Sequence, residues 1–220
     1  MLAAAKPGGD DGVGTAASFN CPSDLAFGPD GVLYVTEYWG HRVRMISPAG
    51  VVTTLAGGGE RGLADGRGAA ARFSGVAGIA VDAAGVVFVA DSGNNRIRRI
   101  TNGVVDTLAG SGGVDTFPFR GGFADGASAA AQFSGPAGLA FDPATGTLLV
   151  TDAFNHRVRT VDPRSGTVST LAGSGAEGAA DGDAAAATLR FPSGLAVDAH
   201  GAILVADAKN SLIRLISRRP

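Results

Sequence analysis

The sequence predicts an all-β fold: a β-propeller of four blades with four strands each. Three observations predict it. The 220 residues include 35 Gly and 10 Pro, while only 17% are charged and 45% are apolar. Average chains carry ~25% charged residues, so this composition suits many short strands and turns over a substantial core. It also lacks the low hydrophobicity and high charge of a disordered chain. Second, one unit recurs four times along the chain. Third, each unit contains four strand signals separated by turn residues.

The repeat begins with an acidic loop. Leu63-Ala64-Asp65-Gly66 leads to Ala71-Arg72-Phe73 and then to Gly78-Ile79-Ala80-Val81-Asp82. Phe123-Ala124-Asp125-Gly126, Ala180-Asp181-Gly182 and, more weakly, Asp10-Asp11-Gly12 open the other copies. An apolar run closed by an acid follows, ending at Glu37, Asp91, Asp152 and Asp207, so the unit steps by 54, 61 and 55 residues. Blade repeats are expected over residues 19–57, 73–110, 133–173 and 191–217 of a single domain spanning 1–220.

In the second unit the expected strands are a (78–82), b (86–91), c (96–101) and d (104–109). Strand b is apolar and β-branched throughout, which predicts burial of both faces. Strand c alternates Arg with Ile or Val, so one face is apolar and the other polar. The a–b turns run from Asp to Gly, as in Asp82-Ala83-Ala84-Gly85, because glycine accepts the positive φ that such turns need. Blades of this kind stack around an axis in rings of ~4–8, and a β-helix would need much shorter repeats. The fourth repeat lacks a strand d, and Met1-Leu2-Ala3 aligns with the end of one, Thr54-Leu55-Ala56. Two arrangements stay open: a closed four-blade ring latched by those residues, or an open arc of a larger propeller, whose exposed blade faces favour a homodimer.

The pattern Pro-x-Gly-Leu-Ala-x-Asp, then Gly-x-Leu-x-Val-Ala-Asp, then Asn-x-x-Ile-Arg resembles the NHL-repeat propellers, with its best copy over residues 135–159. The long Gly-Asp-Gly-Ala loops are most similar to bacterial and plant-type members. The resemblance covers essentially the whole chain. It implies that ligands meet the end of the propeller bearing the d–a loops and b–c turns. It also implies six blades, sometimes five, where this chain has four repeats.

Several chemistries are weighed against bland readings. Glu37, Asp91, Asp152 and Asp207 form either a carboxylate ring for a cation or ion pairs with the Arg seven residues on: Arg44, Arg98, Arg159 and Arg214. The ion pairs are the expected reading, since all four partners are present. Eight basic residues on strand c suggest nucleic acid, but the d–a loops hold nine acids against six bases and the chain is −2 overall, so nucleic acid is not expected. His41 and His156 share a b–c turn position and His200 lies at the opposite end, so no three-His zinc site is expected. Small apolar residues dominate the inner strands, with Asp24 as their acid. That is too few oxygen ligands for calcium, so no metal, cofactor or catalytic residue is assigned. Asp65, Asp125 and Asp181 are expected to cap short Ala-rich helices pinned by buried Phe73, Phe133 and Phe191. One Cys, Cys21, excludes an internal disulfide, and no apolar run reaches the ~18 residues of a membrane helix.

The expected function is a non-catalytic interaction module that binds a protein or peptide. Its candidate contacts are Tyr38, Trp39, His41, Asn94, Phe154, His156 and Lys209, with Phe117, Phe119 and Arg120 from the longest d–a loop. Exposed aromatics are the favoured anchors of such surfaces. The alternatives are a metal-dependent lyase or hydrolase, as the resemblance to six-bladed enzymes implies, or a structural or sensor segment of a longer protein. The sequence assigns no compartment.

Overall fold

The computed structural model describes residues 7–113 and 121–217. Four antiparallel sheets follow one another along the chain. Blade 1 holds β1 (Gly12–Val13), β2 (Pro22–Phe27), β3 (Leu33–Glu37), β4 (Arg42–Ile46) and β5 (Val51–Ala56) in the order β1-β5-β4-β3-β2. Blade 2 repeats this with β6 (Gly66–Arg67), β7 (Val76–Val81), β8 (Val87–Asp91), β9 (Arg96–Thr101) and β10 (Val104–Ala109). Blade 3 is β11 (Pro136–Asp142), β12 (Thr147–Asp152), β13 (Arg157–Val161) and β14 (Val168–Ala172). Among the described residues blade 4 has three strands, β15 (Pro192–Val197), β16 (Ile203–Asp207) and β17 (Leu212–Ile216). The residues once aligned to its missing outer strand, Met1 to Ala3, lie outside the described residues.

The two-residue strands β1 and β6 were not expected. Each follows the loop Asp and pairs with the outer strand of its own blade, Gly12 opposite Val52 and Gly66 opposite Val105. Blade 3 keeps a single bridge there, Gly126 to Val168.

Hydrophobic layers between blades make the core. Strand b is buried on both faces: Val87, Phe88, Val89 and Ala90 are all 2% exposed or less. Phe88 and Ile97 of blade 2 pack with Leu139 and Leu148 of blade 3. Tyr34 and Val43 of blade 1 pack with Ile79 and Val89 of blade 2, and Leu149 and Val158 of blade 3 with Val205 and Ile203 of blade 4. The inner strands approach so closely that a Cβ on Gly78 would strike the carbonyl oxygen of Ala137, and one on Gly138 that of Ser193.

Among the described residues the ring is not closed: inner strands pack in the series β2, β7, β11, β15, and no packing of that extent joins blade 4 to blade 1. At Gly194, the position matching Gly78 and Gly138, a Cβ would meet nothing closer than Ala206 at 4.0 Å. Leu25 and Phe27 on blade 1 and Ile213 and Leu215 on blade 4 stand 59–70% exposed, whereas the counterparts of Leu25 and Ile213, such as Ile79 and Ile97, are buried and those of Phe27 and Leu215, such as Val81 and Met45, are half-buried. No helix among the described residues is long and apolar enough to cross a membrane.

Candidate functional site

The four recurring carboxylates and arginines meet inside their blades. Arg44 Nη1 lies 2.9 Å from Glu37, Arg98 Nη1 2.7 Å from Asp91, Arg159 Nη1 2.6 Å from Asp152 and Arg214 Nη1 3.0 Å from Asp207. The antiparallel register of strands b and c accounts for the seven-residue spacing, since Val35 faces Arg44 and Val89 faces Arg98. Arg44, Arg98 and Arg159 are fully buried. A buried guanidinium needs its charge and donors matched, and each blade supplies a second acid for this. Nη2 reaches Asp11 at 2.9 Å, Asp65 at 2.6 Å, Asp125 at 2.5 Å and Asp181 at 2.7 Å. Loop carbonyls take further bonds: Arg98 donates to Arg72 O and Ala64 O, and Arg159 to Gln132 O and Ala124 O. An aromatic ring lies under the guanidinium at 5.1 Å in three blades, from Phe19, Phe73 and Phe133.

This corrects two expectations. The loop Asp residues do not cap helices. In blade 2 the Ala-rich stretch is one short turn, Gly68–Ala70, with no side-chain cap, and Asp65 instead binds Arg98 and accepts from Thr107 Oγ1 at 3.1 Å. Phe191 is not the buried pin of blade 4; Leu189, 4% exposed, fills that place. The backbone N–H groups that bond the strand-b carboxylates are those of Asn20, Ser74, Ser134 and Arg190. The core residue just before each is therefore Phe19, Phe73, Phe133 and Leu189. The constant offset of 33 or 34 residues between loop Asp and Arg was the signal that could have revealed the second counterion.

Burial pushes the carboxyls of Glu37, Asp91 and Asp152 upward, against the opposing pull of their Arg partners and hydrogen bonds. The loop acids behave differently. At Asp125 burial also raises the pKa, but the bond and charge of Arg159 and the contacts of Thr170 outweigh it, and the net shift is downward. Asp11 follows the same balance with Thr54 and Arg44.

The b–c turn position shared by His41, Asn95, His156 and Ser211 is left-handed in every blade, with φ of 52–56°. Its side chain fastens the next blade. His41 Nδ1 accepts from Gly75 N at 3.1 Å, Asn95 Oδ1 from Gly135 N at 2.8 Å, and His156 Nδ1 from Phe191 N at 3.2 Å. His156 Nε2 also lies 3.5 Å from Glu177. His41 and His156 thus fasten one blade to the next and are half-buried. Asn94 is fully buried, donating to Asp91 Oδ2 and Gly62 O at 2.8 Å each.

What the loop end presents is aromatic. Trp39 is 63% exposed, with Tyr38 edge-on at 5.0 Å. Phe154 is 38% exposed and packs edge-on against Phe191 at 4.9 Å. Phe123 is 44% exposed under the guanidinium of Arg157 at 3.8 Å. Lys209 is exposed in the fourth b–c turn. Phe117, Phe119 and Arg120 lie outside the described residues.

The inner strands line an open channel of 970 Å³. Asp24 stands in it at the position of Gly78, accepting from Leu25 N at 2.8 Å and Ile79 N at 3.0 Å, and burial raises its pKa. Among the described residues no three His, Cys, Asp or Glu side chains come together as a metal-ligand set.

The family model for the NHL repeat matches residues 19–44, 73–100, 133–160 and 189–214, one match per blade. The chain is similar to Protein SUPPRESSOR OF QUENCHING 1, chloroplastic, of Arabidopsis thaliana, with 31% identity over 210 residues, 92% of this chain and 20% of that protein. It is similar to NHL repeat-containing protein 2 of Gallus gallus, with 33% identity over 134 residues, 59% of this chain and 18% of that one. The chain thus spans about a fifth of the length of these relatives. Among solved structures, an auxiliary nutrient binding protein from Bacteroides ovatus aligns with a TM-score of 0.69 and 21% identity, over 94% of this chain and 50% of that one. A gluconolactonase from Xanthomonas campestris aligns at 0.62 and 18%, over 92% and 60%. At such identities the likeness is one of fold. Four family matches, each falling on one blade with its paired Arg and acids, place the protein in the NHL-repeat family of β-propellers.

Proposed function

We propose that the chain is a non-catalytic interaction module that binds a protein or peptide at the end carrying its d–a loops and b–c turns. The observation behind this reading is the set of exposed aromatics there: Trp39 backed by Tyr38, Phe154 backed by Phe191, and Phe123 held by Arg157. Each ring is fixed by a neighbour, so little side-chain freedom is lost on binding, and rigid aromatics are the usual anchors of interfaces. The recurring charged residues, by contrast, are consumed inside the blades and leave no free catalytic constellation among the described residues. His41, Asn94 and His156 drop out of the contact set, leaving Tyr38, Trp39, Phe154 and Lys209, with Phe117, Phe119 and Arg120 as candidates of the long loop.

The test is selection of peptides from a displayed library on the immobilised chain, followed by binding titrations to a Trp39→Ala/Phe154→Ala variant. Circular dichroism checks that the variant keeps the wild-type fold. The reading predicts at least a tenfold loss of affinity for the selected peptides. Equal binding to the variant sinks the site.

A further inference from the structure

We infer that the two uncovered faces of the arc dock onto a second copy of the chain, blade 4 of each on blade 1 of the other, in a two-fold ring. The argument comes from the interfaces the chain already makes. Each internal contact sets the forward face of one blade on the rear face of the next, and the same positions recur. On forward faces, Val43, Ile97 and Val158 are completely buried, and Tyr34, Phe88 and Leu149 are 9%, 1% and 1% exposed. Their blade 4 counterparts, Ile213 and Leu204, are 70% and 40% exposed. Leu215 follows at 62%, in the place of Met45, which packs under blade 2. On rear faces, Ile79 and Leu139 are 3% and 5% exposed, whereas Leu25 of blade 1 is 59% exposed and Phe27 beside it 69%.

The two exposed faces are therefore the two halves of an interface the fold builds three times. The polar fastener continues as well: Ser211 holds the position of His41, Asn95 and His156, and Cys21 holds that of Gly75, Gly135 and Phe191, all with positive φ. A second copy supplies both missing halves at once. Two four-blade arcs total eight blades, within the ~4–8 seen in propellers. A head-to-tail contact used twice about a two-fold axis closes without leaving a free face.

The test is light scattering on the size-separated 220-residue chain over a concentration series, with Ile213→Asp and Phe27→Asp variants. Both side chains are surface-exposed in one arc, so each variant keeps its fold, and circular dichroism verifies this. The wild type is expected at twice the 21.8 kDa of one chain. Each variant alone is expected as a monomer, because every head-to-tail contact needs one intact face of each kind. An equimolar mixture of the two variants is expected to regain a heterodimer through the one intact pair of faces. A wild-type monomer at every concentration overturns the inference. So do open polymers, or dimerisation of Phe27→Asp alone, which would mean like faces pairing.

Discussion

Blade 1 departs from the other three at two positions that compensate one another, and this yields the sharpest prediction. Blades 2–4 bury Asp91, Asp152 and Asp207, each accepting at 2.7–2.8 Å from an Asn three residues later: Asn94, Asn155 and Asn210. Blade 1 has Glu37 and Gly40. The extra methylene of Glu37 occupies the space of the missing Asn: a Cβ on Gly40 would lie 2.5 Å from Glu37 Oε2 and 2.7 Å from its Cβ. Gly40 does not have positive φ, so the backbone there accepts other residues; the three atoms nearest such a Cβ all belong to Glu37, and Glu37→Asp withdraws the carboxyl while the Cβ of residue 37 is accommodated by a small backbone shift. Gly40→Asn alone overpacks a buried site, at a cost of about 1–3 kcal/mol. Glu37→Asp alone weakens a buried charged hydrogen bond to Arg44, worth about 1.5–3 kcal/mol, and opens a methylene-sized gap. The double variant rebuilds the Asp–Asn–Arg arrangement of the other blades, with Gly8 O waiting where Gly62 O receives Asn94; Gly8 N bonds Phe19 O as Gly62 N bonds Phe73 O. A double-mutant cycle by urea denaturation should therefore return a favourable coupling of about 2–3 kcal/mol. In a chain of this size that is a recovery of roughly 4–12 °C in Tm over the sum of the single losses. Strictly additive effects would refute the reasoning.

The other predictions contrast matching positions in different blades. Asp125 is clamped by Arg159 and by Thr170 N at 3.0 Å, whereas the Asp181 side chain is 93% exposed and has no outer strand beside it among the described residues. Asp125→Asn should therefore cost about 1–2 kcal/mol by chemical denaturation, and Asp181→Asn less than about 0.5; equal losses would count against the clamp. Because the folded pKa of Asp125 lies below its ordinary 3.8, its contribution is complete above that value and fades as pH falls through the depressed one. The Tm gap between wild type and Asp125→Asn should hold at neutral pH and close on strong acidification; a gap that widens in acid contradicts the sign. At the inter-blade fastener, His41→Asn should be nearly neutral, since Asn95 already performs that role and Asn tolerates left-handed backbone. His41→Leu orphans Gly75 N and should cost about 1–3 kcal/mol, measured by thermal denaturation; a harmless Leu would mean the bond carries nothing.

The repeat made the blades legible before any coordinates, because strand periodicity and turn chemistry are local. Strand b shows it: an unbroken β-branched run can only sit between two layers. The pairing of Glu37 with Arg44 was equally readable, since antiparallel register converts a seven-residue spacing into contact. What escaped was non-local. Asp65 reads as a helix cap to anyone counting neighbours, since Ala follows it. Its true partner lies 33 residues on, and the charge of a buried Arg98 outweighs the small gain of capping one turn. Phe191 was misplaced because aromatic character was taken for the core position; blade 4 keeps the register of the others, with Leu189 just before the N–H that bonds Asp207, as Phe73 stands before the one that bonds Asp91. His41 and His156 looked like presented turn residues for a related reason. A left-handed turn aims the side chain at the following blade, and nothing in the local sequence says that a backbone N–H waits there. The same geometry explains why closure could not be read from four repeats. Each blade is specified within itself, while the ring depends on which face covers Leu25 and Ile213. Blade packing is a nearest-neighbour interaction, as in other repeat proteins. Such a chain folds each blade on its predecessor without needing the circle complete, and it leaves its first and last faces as ready-made halves of an interface.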